Sequence, residues 1–297
     1  MRVSHGQGLS LDLNGLSIGL DSYSSSNNLI FLSHAHIDHL VKKAPCPVLS
    51  TSLTGSLATH RLGVNYDLIT SLSGCSLIDS GHVLGGKALL VKAEGESTLY
   101  TGDFSPHDRF FLKGLKPVKC DNLIIETTYG SPSYDLPSPR SIIKIAHDTL
   151  EDDLALGYNV VLHGYALGKA QIICKLVEGL GNVFAHDKVR GVNGVCQRHG
   201  CDVSVPDLLP SNAGSFIYVT PSIKDARKFA KARVYSFSGW GFSGVRDCFP
   251  LSDHAGFSDL LRFVKGCKPS HVFTHHGFSE EFASLLRVEG YDAKSFD

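Results

Sequence analysis

The stretch LSHAHIDH occupies residues 32–39 and follows a short apolar run. It contributes three imidazoles and one carboxylate within six residues: His34, His36, Asp38 and His39. Around a tight strand-to-helix turn, this spacing can bring nitrogen and oxygen ligands onto two adjacent cations, which neutral imidazole and carboxylate groups suit. A polar surface loop is the alternative, but four ligand-type side chains in this order at the end of a strand favour a metal site.

This motif resembles the first metal-binding motif of the metallo-β-lactamase superfamily. The resemblance implies two further ligands, a histidine in a glycine-bearing loop and an aspartate at the end of a strand. The segments GHVLGG and LYTGD supply them as His82 and Asp103. The ligand sets that the resemblance implies are His34, His36 and His82 for one metal ion, Asp38 and His39 for a second, and Asp103 as a bridge between both.

A water molecule between the two ions would be the nucleophile, because two cations lower its pKa and offset the charge of an in-line phosphoryl transition state. Such centres recur in enzymes that hydrolyse phosphate esters. We expect two zinc ions, and the oxygen-rich second site also suits manganese.

Three later segments resemble, in order, the motifs of the β-CASP nucleases within this superfamily. The segments LIIETTYG, LSDHA and VFTHHG contribute Glu126, His254 and His276. The resemblance implies that Glu126 supports His254, which faces the leaving group, and that His276 completes the second metal site. His275 is the neighbouring alternative ligand, and we choose the histidine directly before Gly277. The catalytic residues expected on this basis are Asp38, Glu126 and His254.

The segment GYALGKAQ, residues 164–171, forms a glycine-bearing turn between a predicted strand and a predicted helix. Free backbone N–H groups at a helix start, with a lysine in the first turn, favour binding of a phosphate. We therefore expect Gly168 and Lys169 to bind substrate phosphate. A purely structural helix start is the alternative.

The order of the predicted elements favours an α/β protein with an insertion. Short β-rich runs begin at residue 29 and helical pattern is sparse up to about residue 130, whereas helices and strands alternate from about residue 139 onward. With the resemblance, this order predicts an αββα metallo-β-lactamase sandwich that carries a small inserted α/β cap domain of the β-CASP type. The predicted segments are 1–134 for the first part of the sandwich, 135–235 for the cap and 236–297 for the closing part.

The composition is that of a soluble globular protein, with 42% hydrophobic and 19% charged residues. No run approaches the roughly 18 apolar residues that span a bilayer, and the polar start lacks a signal-peptide pattern, so we expect a cytoplasmic protein with no membrane partner. The eight cysteines include no Cys-x-x-Cys pair, which favours reduced, buried thiols. Cys196 and Cys201 near His199 are a weak candidate for a minor metal site.

The charge balance limits how nucleic acid could bind. A net charge of −1 and a pI of about 6.9 give no overall attraction for polyanions. Binding would therefore depend on a local patch, although a solvated helix face is the alternative explanation of such a run. The best candidate patch consists of Lys224, Arg227, Lys228, Lys231 and Arg233.

We expect a metal-dependent nuclease whose partner is DNA or RNA. The short cap and the segments ALGKAQ and SGW resemble most the ligase-associated DNA exonucleases, which favours a DNA exonuclease. A histidine at the third β-CASP position is typical of RNA-cleaving members such as the mRNA 3′-end processing factors, so an RNA nuclease is the alternative. A small-molecule metallo-hydrolase would not need Glu126, His254 or the cap, and a non-catalytic binding subunit would not need every ligand.

Overall fold

The computed structural model describes residues 1–6, 8–13, 15–226, 228–229, 231–243 and 247–296. The chain forms two compact units. The first unit comprises Met1–Asp108, Leu112–Asp135 and His254–Asp297, and the second comprises Arg109–Phe111 and Leu136–Asp253. The insertion was expected to end at residue 235. However, one strand of its sheet continues to Phe237 and another follows at Cys248–Phe249, and the second unit extends to Asp253.

The elements of the described residues follow in chain order. The strands are β1 (Arg2–His5), β2 (Leu9–Leu13), β3 (Leu16–Leu20), β4 (Leu29–Phe31), β5 (Val48–Leu49), β6 (Leu68–Ile69), β7 (Cys75–Asp79), β8 (Lys87–Ala93), β9 (Glu96–Tyr100), β10 (Asn122–Glu126), β11 (Asn159–His163), β12 (Val183–Ala185), β13 (Ile217–Thr220), β14 (Ala232–Phe237), β15 (Cys248–Phe249), β16 (His271–His275) and β17 (Asp292–Ser295). The α-helices are α1 (Ser52–Leu62), α2 (Pro139–Ala155), α3 (Lys169–Leu176), α4 (Asp187–Arg198), α5 (Ile223–Ala226), α6 (Phe257–Cys267) and α7 (Ser279–Val288). Short 3₁₀ segments occupy Pro132–Tyr134 and Gly239–Ser243.

The first unit is built on two six-stranded sheets, ordered β1-β2-β3-β4-β5-β6 and β17-β16-β10-β9-β8-β7. Each sheet combines an antiparallel part with a parallel part. One buried cluster joins Leu11 and Phe31 of the first sheet to Leu89 and Ile124 of the second. The sheets therefore pack face to face as a sandwich.

Strand β8 shows why the second sheet has two buried faces. Successive side chains of a strand point to opposite faces, and Leu89 belongs to the cluster between the sheets while Leu90 belongs to a second cluster. That second cluster includes Phe263 of α6 and Phe282 of α7. The two helices thus cover the outer face of this sheet, as an αββα arrangement requires.

The second unit contains one five-stranded parallel sheet, ordered β12-β13-β11-β14-β15. Its central strand β11 reads NVVLH, and Val160, Val161 and Leu162 are fully buried. Such a continuous apolar run is typical of a parallel strand that is covered on both faces. Strands β14 and β15 belong to this sheet, which explains the late end of the unit.

No helix in the described part of the chain combines the length and the apolar character that a bilayer crossing requires. The eight cysteines are free thiols, and half of them are buried.

Candidate metal centre

The turn after β4 positions the first group of ligands. The Leu32 N–H donates to the Leu49 carbonyl at 3.0 Å, and the His39 N–H donates to the His36 carbonyl at 3.2 Å. The backbone is therefore fixed at both ends of the motif. The expected strand-to-helix turn leads into an irregular segment instead, and α1 begins only at Ser52.

Four donor atoms converge beside this turn. Nδ1 of His36 lies 3.0 Å from Nε2 of His34 and 3.1 Å from Nε2 of His82. Oδ2 of Asp103 lies 3.6 Å from Nε2 of each of those two histidines. A tetrahedral zinc ion with bonds of 2.0–2.1 Å separates its ligand atoms by about 3.3 Å. The set His34, His36, His82 and Asp103 therefore fits zinc in donor type and in spacing.

The electrostatics of these residues favour their metal-binding forms. Burial lowers the pKa of His34 well below its usual value, with a further contribution from His39. Burial raises the pKa of Asp103, but the nearby histidines, His39 first, outweigh it and hold that pKa well below its usual value. A neutral imidazole and an ionised carboxylate are the forms that ligate a metal.

His39 is oriented by a carboxylate that the sequence motifs did not identify. Nδ1 of His39 lies 2.9 Å from Oδ2 of Asp21, and Nε2 of His39 lies 3.4 Å from Oδ2 of Asp103. Burial lowers the pKa of His39, but the two aspartates outweigh it and raise that pKa well above the usual value. Asp21 also accepts hydrogen bonds from the Ser33 N–H and from the Tyr100 hydroxyl, the latter at 2.9 Å. Such outer partners fix the ring orientation of a metal-binding histidine.

The second expected ligand set is more open. Oδ2 of Asp38 lies 3.8 Å from Nε2 of His39, and the Asp38 side chain is 81% exposed. The ring of His276 lies 5.6 Å from that of His39 and is exposed. Neither Asp38 nor His276 joins a close group of three ligand atoms among the described residues. His275, the alternative ligand, is buried, and its ring nitrogens have no hydrogen-bond partner within the described part of the chain.

Glu126 and His254 form a hydrogen-bonded pair beside the metal ligands. Nδ1 of His254 lies 2.9 Å from Oε1 of Glu126, and the His254 ring lies 4.6 Å from that of His82. Glu126 is fully buried and accepts hydrogen bonds from the backbone N–H groups of Phe104 and Thr128. The fixed carboxylate therefore sets the orientation of the His254 imidazole.

Gly102 explains how Asp103 reaches the site at the end of β9. Its φ of +51° lies in the left-handed region, and a Cβ at this position would come within 2.7 Å of the Ser33 Cβ. Glycine therefore allows the chain to turn close to the first motif.

The chain is similar to several known proteins. Residues 245–294 match the family described as "Zn-dependent metallo-hydrolase RNA specificity domain". The chain is 30% identical over 293 residues to "Probable DNA ligase" of Opitutus terrae, covering 89% of this chain and 28% of that protein. It is 25% identical over 292 residues to "5′ exonuclease Apollo" of Gallus gallus, covering 87% of this chain and 61% of that protein. A crystal structure of a protein of unknown function from Enterococcus faecalis V583 superimposes with a TM-score of 0.59 at 13% identity, covering 86% of this chain and 76% of that one.

These comparisons confirm the resemblance to the β-CASP nucleases of the metallo-β-lactamase superfamily. They also confirm the α/β fold class predicted from the sequence. The chain spans less than two thirds of the length of the named relatives that it matches.

The structure gives other partners to Gly168 and Lys169, the residues expected to bind substrate phosphate. Nζ of Lys169 is buried and lies 3.0 Å from Oδ1 of Asp253, and it also donates to the Leu251 carbonyl. The Gly168 N–H donates to Oε1 of Gln171 at 2.6 Å. Both groups are already engaged within the second unit, so we do not assign them to substrate phosphate.

The structure also bears on the weak cysteine site and on one residue that the sequence motifs missed. No group of metal-ligand atoms in the described ranges includes Cys196, His199 or Cys201. Asp21 was missed because it lies outside every quoted motif, and its only sequence signal is its place directly after the apolar strand β3.

Proposed function

We propose that this chain is a metal-dependent nuclease that hydrolyses phosphodiester bonds of nucleic acid. The observation that carries the proposal is the His254–Glu126 pair beside the metal ligands. A sugar alkoxide is a poor leaving group and needs a positioned acid, whereas a thiolate leaves without one. The pair therefore favours phosphodiester cleavage over the thioester alternative.

The protein residues would divide the chemistry between them. Metal ions bound at this centre would supply an activated water and offset the charge of the phosphoryl transition state. In the proposed tautomer, the Nδ1–H group of His254 donates a hydrogen bond to Oε1 of Glu126, and Nε2 carries the proton that goes to the departing sugar oxygen. The buried Glu126 carboxylate stabilises the imidazolium form and keeps the ring from rotating.

The proposed metal content is two zinc ions. His34, His36 and His82 would hold the first, and Asp38, His39 and His276 would hold the second, with manganese as an alternative there. The arrangement of Asp103 supports a bridging role, because its Oδ2 lies within 3.6 Å of nitrogens from both sets.

DNA is the proposed substrate and stepwise removal of nucleotides from an end is the proposed mode. The relatives that match along most of this chain carry names that refer to DNA or to a 5′ exonuclease. The "RNA specificity" description applies to residues 245–294 and supports RNA cleavage as the second candidate function.

The test uses end-labelled single strands of DNA and RNA, each with a 5′-phosphate or a 5′-hydroxyl, and sizes the products over time. We expect DNA to shorten from one end, with mononucleotide products. The Asp103→Asn variant is the control for contaminating nucleases, since it should lack this activity.

Two results would change the assignment. Internal cleavage of RNA with DNA left intact would replace the DNA exonuclease by the RNA nuclease. Faster turnover of a lactam or thioester than of either nucleic acid would overturn the nuclease proposal itself.

A further inference from the structure

The carboxyl edge of the parallel sheet in the second unit has the topology of a ligand site. All five strands run in the same direction, so their carboxyl ends meet at one edge. The central strand β11 comes first in the chain, and the later strands β13 and β14 lie on its two sides. Ligands of open parallel sheets bind where the chain changes direction in this way.

Two large aromatic side chains project from the loops at this edge. Tyr165 follows β11 and is 72% exposed, and Trp240 follows β14 and is 48% exposed. The last residue of β11, His163, pairs with Ser236, the last residue but one of β14. The two loops therefore begin side by side, since neighbouring strands lie only about 4.8 Å apart.

A cation lies on the other side of the Tyr165 loop. Lys224 follows β13, the strand that pairs with β11 on the side opposite to β14. It is exposed and takes part in none of the ion pairs of the described residues, whereas Lys228 pairs with Asp225. The order along the edge is therefore a lysine, a tyrosine and a tryptophan.

The expected basic patch is divided between the two edges of the sheet. Lys224 lies at the carboxyl edge, but Lys231 precedes β14 and so lies at the amino edge. The Arg233 guanidinium stacks 4.3 Å above the ring of Tyr158. Arg227 falls outside the described residues. Only part of the patch can therefore serve a ligand at the carboxyl edge.

Backbone hydrogen bonds hold the loops that carry the aromatic residues. The Ala170 N–H donates to the Tyr165 carbonyl at 3.0 Å, and Nε2 of Gln171 donates to the Ala166 carbonyl at 2.9 Å. The Trp240 N–H donates to Oγ of Ser238 at 3.2 Å. Loops fixed in this way lose little conformational freedom when a ligand binds.

We propose that Tyr165 and Trp240 form a stacking surface for unpaired bases of single-stranded nucleic acid, with Lys224 beside the phosphate backbone. Aromatic faces accept any base, and each stacked base contributes about 1–3 kcal/mol. Exposed aromatic side chains at a ligand-binding edge mark such an interaction site. This inference rests on the proposed nuclease function and names the form of its substrate.

The chain contains a single tryptophan, so Trp240 reports on this surface directly. The holoprotein is titrated with a phosphorothioate-linked single strand of roughly 12 thymidines, a length that an ssDNA-binding surface can occupy, and the tryptophan fluorescence is recorded. We expect quenching by this single strand, and much weaker binding of a duplex and of an abasic strand of the same length. Equal binding of the abasic strand would show that only phosphates are recognised and would overturn the proposal.

Variants separate stacking from other effects, with binding measured by the anisotropy of a labelled strand. Tyr165→Ala and Trp240→Ala should each weaken binding by roughly 5- to 150-fold, the equivalent of one stacked base, whereas Trp240→Phe should retain most of the affinity. Leu156→Ala is the matched control, because Leu156 is 74% exposed but precedes β11 at the amino edge. An equal loss in Leu156→Ala, or none in Tyr165→Ala, would contradict the stacking surface.

A separate measurement distinguishes failure of this inference from failure of the nuclease proposal. Hydrolysis of bis-(p-nitrophenyl) phosphate by the wild-type protein tests the metal centre without any base to stack. Hydrolysis without oligonucleotide quenching would refute the stacking surface alone. Quenching without hydrolysis of any phosphodiester would support the stacking surface and refute the nuclease.

Discussion

At the scale of single residues, the Glu126–His254 pair is the feature that favours cleavage of a phosphodiester bond. Nδ1 of His254 lies 2.9 Å from Oε1 of the fully buried Glu126 carboxylate. The proposal therefore assigns proton transfer to the opposite ring nitrogen, Nε2. A metal centre alone provides a nucleophile and charge stabilisation, but it does not protonate an alkoxide. The pair therefore supplies the function that the metal ligands lack.

His254→Ala should affect the hydrolysis of two substrates differently, depending on their leaving groups. Loss of a positioned acid slows departure of a sugar alkoxide by about 10²- to 10⁴-fold, whereas nitrophenolate leaves unprotonated. We expect severe impairment on DNA or RNA and much of the activity retained on bis-(p-nitrophenyl) phosphate. Asp38→Ala and His39→Ala should lose both activities. Equal loss of both activities in His254→Ala with unchanged metal content would refute the acid role.

Asp21→Ala should weaken the metal centre although Asp21 is not an expected ligand. The carboxylate holds Nδ1 of His39, and removal of such an outer partner costs about 10- to 100-fold in metal affinity or activity. Competition with a chelator measures the zinc affinity of the variant and therefore tests this effect. Asp12→Ala is the control, since the partners of Asp12 among the described residues are Ser4 and Ser17 of the first sheet. A similar loss of affinity in both variants would indicate a general defect of the sheet.

At the scale of elements, the start of α3 is organised by a buried ionic cluster. Lys169 and Arg109 both contact Oδ1 of Asp253, at 3.0 and 2.9 Å, and all three side chains are buried. One carboxylate thus neutralises part of the charge of two buried cations. Burial lowers the pKa of Lys169, and the negative charge of Asp253 only partly offsets this shift. The cluster connects the helix start to the segment before His254 through the Leu251 and Ser252 carbonyls.

Asp253→Ala should therefore destabilise the second unit by about 3–5 kcal/mol, because it leaves buried cations without their counter-charge. Urea unfolding followed by the fluorescence of Trp240, which belongs to this unit, measures the change. Asp202→Ala is the matched control, since its pair with Lys175 is exposed to solvent and should contribute little to stability. Equal midpoints for the two variants would contradict a structural role for the cluster.

Lys169→Met tests whether Lys169, at the start of α3, binds substrate phosphate. The salt dependence of oligonucleotide binding should stay unchanged, because each phosphate contact contributes about one unit to the log–log slope. A slope reduced by about one unit would instead indicate that Lys169 contacts a phosphate of the substrate.

For the whole molecule, metal binding should couple to the stability of the first unit. The proposed ligands come from segments between His34 and His276, so they are far apart in the unfolded chain. A metal that binds only the folded form stabilises it by about 3 kcal/mol at a free concentration one hundred times its Kd.

Metal removal should therefore increase hydrogen exchange in one unit. Chelation should speed exchange in β4 and β9, which lead into ligands, and leave β11 and β13 of the second unit unchanged. Metal analysis should find close to two equivalents of zinc before chelation, and Asp103→Ala should lose metal from both sites. Loss of one equivalent in that variant would argue against the bridge, and faster exchange in both units alike would contradict the local coupling.

The local sequence determined those features that depend on residues close together in the chain. The spacing of His34, His36 and Asp38 within one turn was sufficient to predict a metal motif. The apolar run before residue 164 was sufficient to predict a strand, which is β11 in the structure. Weak patterns were not sufficient. Strands β1–β3 and helix α1 were not predicted, although β2 alternates apolar and polar residues. These segments are short and mix polar with apolar residues, so they depend on packing within the first unit.

Tertiary structure alone decided which side chains meet. Asp21 reaches His39 because β3 lies beside β4 in the first sheet. Lys169 occurs in a helix-start pattern that also suits phosphate, and only the position of Asp253, 84 residues later in the chain, shows that its charge is neutralised inside the second unit. A sequence pattern specifies the chemical type of a group and its near neighbours. Its long-range partners, and hence its role, depend on contacts that only the folded chain creates.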